Sequence, residues 1–235
     1  MKYKLADLII EFNPKSQILK ERSEKYRIND DLKPDFALDV SYSELEKLKE
    51  MQPELDDELA EYMAVGSLFY KKLLDYNACV LHSSAVVVDN EAYLFSAPCG
   101  TGKSTHVSLW LKYLADKKPY ILNDDNPAIR IFDDNIYAYG TPFSGKNDLN
   151  ENSKAVLKGI CFIEQSKENF IEKMEAKEAI KRFLDQTVRE LDSANMLKLL
   201  DILDVILKKV PIYRFGCNIS EEAVKLSYST MKGKN

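Results

Sequence analysis

A glycine-containing run at Ala97–Thr105 has the residue types and the spacing of a loop that binds a chain of phosphates. Gly100 and Gly102 allow backbone conformations in which several N–H groups point toward one anion. Lys103 is placed to reach the outer phosphates, and Ser104 offers a hydroxyl to a magnesium ion. The chemistry that these residues indicate is the binding of a purine nucleoside triphosphate together with Mg²⁺.

The loop follows the phosphate-binding pattern G-x-x-x-x-G-K-[ST] at all but its first position, where Ala97 stands in place of glycine. A tight turn before a helix, with Lys103 in solvent, is the plain structural alternative. We favour the nucleotide site because strand, loop, lysine, hydroxyl and helix occur in the order that the motif requires. The predicted nucleotide-binding residues are Pro98, Cys99, Gly100, Thr101, Gly102, Lys103, Ser104 and Thr105.

Two neighbouring carboxylates, Asp124 and Asp125, follow the short apolar run Tyr120–Leu122. That run is the next predicted strand after the loop and its helix, so we expect its end to lie near the phosphates. One acid there can hold magnesium while the other accepts a proton from an attacking hydroxyl. A polar turn with two solvated acids is the alternative, and the phosphate loop upstream makes us favour the functional interpretation.

Two further residues are candidates for contact with a transferring phosphate. His82 follows the apolar run Ala78–Leu81 in a strand that could lie beside the loop, although a hydrogen-bonded core histidine is the alternative. Lys146 ends a run of turn formers that begins at Gly140 and could close over the phosphates as a mobile flap. We consider Lys146 for stabilising transition-state charge, with a plain connecting loop as the alternative. We interpret His106 as structural.

Hydrophobic period and turn formers predict the elements that must position these residues. Lys103–Ala115 has apolar residues at helical spacing and lies between the predicted strands Ala92–Ser96 and Tyr120–Leu122. Further strands are predicted at Ala78–Val88, Ala128–Phe132, Ile136–Tyr139, Gly159–Glu164 and Tyr213–Cys217. Further helices are predicted at Leu55–Tyr76, Ala176–Leu191 and Ala194–Lys208, and from the N-cap Ser220 to Met231.

Residues 1–54 are predicted to form a small N-terminal α+β subdomain, and residues 55–235 the main domain. Tyr3–Phe12 and Phe36–Val40 have the composition of strands, and the polar segment Lys15–Pro34 between them is predicted to be exposed. We assign no chemistry to residues 1–54. Their position is compatible with an acceptor-binding surface or with a contact in a homo-oligomer.

Composition argues against several classes of protein. The chain has 33 Lys and Arg against 38 Asp and Glu, a net charge of −5, so we expect no nucleic-acid partner. No apolar run approaches the roughly 20 residues that cross a bilayer. Asp7 and Glu11 interrupt the N-terminus where a signal peptide would be apolar. We therefore expect a cytoplasmic protein without a membrane partner, whose four cysteines are reduced.

Four segments together resemble the HPr kinase/phosphorylase family, and most closely its shorter relatives near peptide-modification genes, including lasso-peptide kinases. These segments are Leu81–Ser84, Ala97–Thr105, Leu122–Arg130 and Tyr139–Lys146. The resemblance extends from about residue 55 to the C-terminus and includes Pro211–Phe215 and Glu222–Val224. It implies an α/β fold similar to the nucleotide domain of phosphoenolpyruvate carboxykinase, with a mixed β-sheet, flanking helices and a P-loop.

The resemblance also implies roles for the residues at matching positions. In that family the histidine that matches His82 contacts the transferred phosphate, and the aspartate that matches Asp124 is the general base. The acid that matches Asp125 and the serine that matches Ser104 lie at the metal. The C-terminal phosphorylase signature of the family has no clear counterpart here, so we do not expect removal of phosphate from phosphoserine.

The sequence thus predicts an ATP- and Mg²⁺-dependent kinase that transfers the γ-phosphate to a serine hydroxyl of a peptide or protein. Asp124 would take the hydroxyl proton while His82, Lys103 and Lys146 stabilise charge on the transferring group. GTP in place of ATP is left open, and so is a small-molecule kinase or a carboxykinase-like phosphotransferase. A nucleotide-binding regulator without chemistry is a third interpretation. Two residues keep it open: Ala97 replaces the first glycine of the loop pattern, and Thr105 stands where the full-length enzymes of the similar family have a glutamate that can assist a second metal ion.

Overall fold

The computed structural model describes residues 1–187 and 191–233. A nine-stranded mixed β-sheet lies at its centre, and a separate four-stranded sheet is formed by the N-terminal residues. Helices flank the main sheet, which confirms the predicted mixed α/β class. None of the helices within the described ranges has the length and apolar character that crossing a membrane requires. All four cysteines are free thiols.

The N-terminus forms a β-hairpin where the sequence predicts one strand over Tyr3–Phe12. Strands β1 (Lys2–Leu5) and β2 (Leu8–Glu11) pair antiparallel. Ala6 and Asp7 make the turn with left-handed φ values of 52° and 58°. The prediction was wrong because this turn usually carries Asn-Gly or Asp-Gly, and Ala-Asp does not have that signature.

The remaining N-terminal elements are short. Strands β3 (Arg27–Ile28) and β4 (Phe36–Ala37) complete the four-stranded sheet, and β4 covers only the start of the predicted strand Phe36–Val40. Helix α1 (Gln17–Glu24) lies in the segment predicted to be exposed, and Leu19 in it is fully buried. The prediction failed because few residues of this segment are apolar, so the buried residues of α1 show no helical period in the sequence.

Two helices connect this sheet to the main one. Helix α2 (Tyr42–Met51) was not predicted, and it begins with a capping box between Ser41 and Glu44. Helix α3 (Asp57–Leu73) confirms the predicted helix in this region, and a 3₁₀ turn continues it. Of the apolar residues that recur at helical spacing in this segment, Phe69 and Leu73 are buried, whereas Leu59 and Met63 are each 39% exposed.

The main sheet has the strand order β5-β9-β10-β11-β7-β6-β8, with β13 beside β11 and β12 beside β13. Its strands are β5 (Ala78–Val80), β6 (Ser83–Val88), β7 (Glu91–Ser96), β8 (Tyr120–Asn123), β9 (Ala128–Phe132), β10 (Asn135–Tyr139), β11 (Lys154–Gln165), β12 (Phe170–Lys173) and β13 (Ile212–Cys217). All the strands predicted for this domain are present. The predicted strand Ala78–Val88 is interrupted at Leu81 and His82, and β12 was not predicted.

Helices cover both faces of this sheet. They are α4 (Lys103–Tyr113), α5 (Ala176–Asp185), α6 (Ser193–Lys209) and α7 (Glu221–Lys232). Each confirms a predicted helix, and the Ser220 hydroxyl caps α7 by accepting from the Ala223 N–H at 3.2 Å. Helix α5 ends before the predicted boundary at Leu191, and residues 188–190 of that prediction lie outside the described residues.

Strand β6 shows how the layers are built. Ala85 and Val87 belong to the core under α5 and α6, and Val86 and Val88 belong to the core under α4 and α7. Because both faces of β6 are buried, its sequence is continuously small or apolar rather than alternating. A third core joins the N-terminal sheet to the main sheet through α3, and it includes Tyr3, Ile10, Phe69, Val80 and Phe143.

Candidate functional site

The strand directions bring the candidate site residues to one edge of the main sheet. β7 and β8 both pair antiparallel with β6, which lies between them, so β7 and β8 run parallel to each other. β11 is parallel to β7, and β13 is parallel to β11. The carboxyl ends of these four strands and the amino end of β6 therefore share one edge, where open α/β sheets bind their ligands.

The loop after β7 has the geometry of an anion site. Gly100 and Gly102 have φ values of +80° and +115°, a left-handed conformation that other residues rarely adopt. Helix α4 begins at Lys103 without a side-chain cap, so the N–H groups of residues 103–105 have no acceptor in their own helix. These donors and the positive end of the helix dipole favour a phosphate at this point.

Lys103 is held as part of this loop. Its Nζ donates to the carbonyl oxygen of Ala97 at 2.8 Å and lies 3.5 Å from that of Pro98. Burial lowers the pKa of Lys103, while the negative charge of Asp125 acts in the opposite direction. Ser104 is exposed at the mouth of the loop. The ammonium group is therefore poorly solvated, which increases its attraction for an anion that enters the loop.

Asn123 shapes the turn that carries the two acids. It is fully buried, and its Oδ1 accepts from the N–H groups of Asp125 at 2.9 Å and Asn126 at 2.8 Å. Its Nδ2 donates to the carbonyl oxygen of Thr141 at 3.0 Å. Asn123 thus fixes the backbone of the acid pair to the start of the loop that follows β10.

The two acids have different partners. Oδ1 of Asp124 accepts from the Ser84 hydroxyl at 2.5 Å. Oδ1 of Asp125 lies 3.3 Å from His82 Nε2, and Oδ2 of Asp125 accepts from the Asn126 amide at 2.6 Å. Asp124 is therefore tied to strand β6, whereas Asp125 faces the histidine that precedes that strand.

His82 is held from both sides. Its Nε2 faces Asp125, and its Nδ1 lies 2.9 Å from Oε1 of Gln186, just after α5. Its backbone N–H donates to the carbonyl oxygen of Gln186 at 2.8 Å, and its own carbonyl oxygen accepts from the Ser96 hydroxyl at 2.8 Å. The ring is about 30% exposed, so it is fixed in place and still accessible to a ligand.

The structure does not bring the Lys146 side chain to the group formed by Lys103, His82, Asp124 and Asp125. Its side chain is exposed and makes no hydrogen bond or ion pair within the described part of the chain. Gly145 before it lies against Asp125, since a Cβ on Gly145 would come within 3.2 Å of the Asp125 Cβ. The loop that carries Lys146 therefore forms a wall of the site, and the lysine itself points into solvent.

The donor set fits a magnesium ion that arrives with a nucleotide. Residues 1–187 and 191–233 contain no cluster of three or more His, Cys, Asp or Glu side chains that could hold a metal alone. Mg²⁺ instead keeps several waters and uses one or two carboxylates together with substrate phosphates. The carboxylate of Asp125 and the exposed hydroxyl of Ser104 provide the hard oxygen ligands that such a site needs.

Two cavities flank the loop. One of about 510 Å³ lies beside the start of α4, and Gly102, Thr105, Gln165, Asn218 and Ile219 are among its lining residues. The other, of about 350 Å³, lies between the start of the loop and α5, and its lining includes Pro98, Lys181, Arg182 and Gln186. The first opens toward the free amides of α4, and the second reaches the residue that holds His82.

Three residues that hydrogen-bond to the acid pair or to His82 were not predicted as site residues. Asn123 stands directly before Asp124 and Ser84 stands two positions after His82, so a search for hydroxyls and amides within two residues of the candidate acids and His82 would have included them. Gln186 lies more than 100 positions from His82, and its contact has no local signal in the sequence. Lys103, His82, Asp124 and Asp125 lie at the sheet edge, as their predicted strands and loop imply.

No protein-family model matches this chain, and no curated protein matches it. Among solved structures, its fold is distantly similar to that of the HPr(Ser) kinase/phosphatase from Coxiella burnetii, with a TM-score of 0.35 and 14% identical residues. That alignment covers 66% of this chain and 99% of the other. A likeness at this level does not assign the chain to that family.

Proposed function

We propose that this protein is an ATP- and Mg²⁺-dependent kinase that transfers the γ-phosphate to a serine hydroxyl of a peptide or protein. The observation that carries the proposal is the meeting, at one sheet edge, of the uncapped start of α4 and a cluster of ionisable side chains. The cluster consists of Lys103, His82, Asp124 and Asp125. A plain connecting turn requires neither a buried lysine nor carboxylates beside it.

In this proposal the loop binds the triphosphate. The N–H groups of residues 103–105 and the Lys103 ammonium contact the phosphate oxygens. Ser104 and Asp125 are the residues that would hold Mg²⁺, which neutralises phosphate charge when it is bound with the nucleotide. The 510 Å³ cavity is the proposed place of the nucleoside, because Gln165 and Asn218 offer amide groups to the edge of a base there.

Asp124 is the proposed general base. The serine oxygen of the acceptor attacks the γ-phosphorus, the bond from that phosphorus to the β–γ bridging oxygen breaks, and ADP leaves. The serine proton passes to Asp124. We assign the proton to Oδ2, because Oδ1 already accepts from the Ser84 hydroxyl and Oδ2 has no hydrogen-bond partner within the described residues.

His82 and Lys103 are proposed to stabilise charge on the transferring group. His82 lies 3.3 Å from Asp125, and Lys103 is held in the loop, where both acids act on its charge. Lys146 would join them if the loop that carries it closed over the phosphates. The same site could hold a nucleotide without any transfer, and it could phosphorylate a small molecule, so the test must separate binding from transfer and peptides from metabolites.

The first test is Mg²⁺-dependent binding of ATP and GTP by calorimetry, on wild type, Lys103→Ala and Asp124→Asn. Lys103→Ala should abolish binding, and Lys112→Ala, an exposed lysine on the same helix, should bind as wild type does. Asp124→Asn should bind normally and lose about 100-fold or more of its turnover with serine peptides. Absence of nucleotide binding by the wild type would overturn the proposal.

Two adjacent serines test the role of Asp124. Ser84→Ala should lower kcat about tenfold without a change in nucleotide affinity, because it removes a hydrogen bond to the base. Ser83→Ala is the matched control, since Ser83 is equally buried and its hydroxyl donates to the Leu81 carbonyl at 2.9 Å. Equal kcat in the two serine variants would contradict the assignment of Asp124. Nucleotide binding by the wild type without turnover on any acceptor would favour a regulator.

A further inference from the structure

Residues 141–150, called the site loop below, form one wall of the candidate site. Gly145 in this loop has a φ of +72° and lies against Asp125, where a Cβ would come within 3.4 Å of the carboxylate carbon. The loop is also tied to the turn after β8, because the Thr141 hydroxyl donates to the carbonyl oxygen of Asn126 at 2.8 Å. A displacement of the site loop would therefore move the surroundings of Asp125.

The hydroxyl of Tyr62, on α3, is the centre of a hydrogen-bond network that holds the site loop. It donates to the carbonyl oxygen of Pro142 at 3.2 Å and accepts from the N–H of Ser144 at 3.0 Å. The Tyr62 ring also packs on Phe143, with ring centres 5.5 Å apart. One side chain thus contacts three consecutive residues of the loop, immediately before Gly145.

The N-terminal residues fix Tyr62 and the far end of the loop. Arg22 of α1 donates to the Tyr62 hydroxyl at 2.8 Å, and its Nε lies 3.7 Å from the Asp148 carboxylate. Tyr26 donates to the Asn150 side chain at 2.6 Å, and Lys25 donates to the Asn150 carbonyl oxygen at 2.8 Å. Both ends of the site loop therefore depend on residues 22–26.

We propose that Tyr62 is a positioning residue of the candidate site: its hydroxyl, oriented by Arg22, holds the site loop so that Gly145 stays against Asp125. The inference rests on the proposed function and gives the N-terminal region a role in it. Tyr62 does not touch the phosphates in this scheme. It acts through the loop on the acid that faces His82, and so on the geometry in which transfer takes place.

Tyr62→Phe tests this, with Tyr70→Phe as the matched control. Tyr70 lies on the same helix, and its ring packs edge-on against the same Phe143 at 5.5 Å. Its hydroxyl makes no hydrogen bond within residues 1–187 and 191–233. Both substitutions keep the ring, so only the loss of the hydroxyl network distinguishes them.

Hydrogen exchange of the site loop and steady-state kinetics with MgATP and serine peptides are the two measurements. In Tyr62→Phe we expect the Ser144 amide to exchange about tenfold faster or more, because its acceptor is lost. We expect kcat to fall about tenfold, with the KM for MgATP within about twofold of wild type. Tyr70→Phe should match wild type in both measurements.

The inference is overturned if the two variants exchange at the same rate in the site loop, or if exchange rises in Tyr62→Phe while kcat stays at the wild-type value. It is also overturned if KM alone rises, because that pattern indicates lost nucleotide binding rather than lost positioning. A wild type that binds no MgATP overturns the proposed function instead. In that case the exchange rates still decide whether Tyr62 holds the site loop.

Discussion

The two histidines of the chain have opposite surroundings. His82 is partly exposed at the sheet edge and lies between Asp125 and Gln186. His106 is 3% exposed on α4, and its Nε2 accepts from the Trp110 indole N–H at 3.1 Å. The same Nε2 lies 3.1 Å from the Ser227 hydroxyl on α7. His106 therefore joins two helices of one layer, which agrees with its predicted structural role.

Burial lowers the pKa of His106 from 6.5 to about 4. In the unfolded chain the same group keeps its ordinary pKa, so between about pH 6.5 and 4 the unfolded state binds more protons than the folded state. The contribution of a neutral His106 to stability is therefore complete above pH 6.5. It is lost as the pH falls toward 4.

We predict that acidification from pH 6.5 to 5 lowers the free energy of unfolding by about 2 kcal/mol through His106 alone, in addition to the change caused by other groups. Urea denaturation of wild type and His106→Gln at both pH values measures this. His106→Gln should be less stable than wild type at neutral pH, and its free energy of unfolding should fall less than that of wild type on acidification. An equal loss of stability on acidification in wild type and His106→Gln would show that His106 does not titrate as inferred.

At the scale of elements, the site depends on the backbone path of the segments that follow strands β8 and β10. Gly140 follows β10 and passes so close to residue 151 that a Cβ would come within 2.9 Å of the Glu151 carbonyl carbon. The same Cβ would lie 2.9 Å from the Leu122 carbonyl oxygen, which accepts from the Glu151 N–H at 3.0 Å. Gly140 therefore allows three backbone segments to meet directly behind the acid pair.

We predict that Gly140→Ala destabilises the fold by about 3 kcal/mol or more, because backbone atoms must move to admit the methyl group. Gly100→Ala is the comparison, since a Cβ there meets nothing within 4 Å and only the φ of +80° opposes it. We expect about 1 kcal/mol for that variant. Urea midpoints of the two proteins measure the difference, and similar midpoints would contradict the close approach at Gly140.

At the scale of the whole molecule, the N-terminal sheet and the main sheet share a core. Tyr3, Leu5 and Ile10 of the hairpin belong to the same buried cluster as Val80 and Ala128 of the main sheet. Arg130 also donates to the Ala6 carbonyl oxygen at 2.6 Å, and the Tyr139 hydroxyl donates to Asp7 at 3.0 Å. The hairpin turn is thus bonded to strands β9 and β10.

We predict that residues 1–54 and the rest of the chain unfold in one cooperative transition, because removing either part exposes the shared core. Fluorescence of Trp110, the single tryptophan, reports on the main sheet. Hydrogen exchange of residues 1–54 in urea reports on the N-terminal sheet. The two midpoints should coincide, and an N-terminal transition at lower urea would show that the two parts are independent.

The sequence by itself determined the elements whose signals are local. The Gly100-Thr101-Gly102-Lys103-Ser104 run sets backbone freedom and a helix start within five residues, so both could be predicted and both are observed. Ser220 caps α7 through a residue three positions away, and the period of Lys103–Ala115 predicts α4. Where the contacts that form an element join residues within one or two helical turns of each other in the sequence, composition and spacing are sufficient to predict that element.

Only the tertiary structure decided what surrounds those elements. The contacts of Tyr62 with Pro142, of Tyr26 with Asn150 and of His82 with Gln186 each join residues at least 80 positions apart. The hairpin turn at Ala6 and Asp7 is supported by Arg130 and Tyr139 rather than by its own residue types. Such contacts depend on how sheets and helices pack against one another, and packing of that kind leaves no period or motif in the sequence.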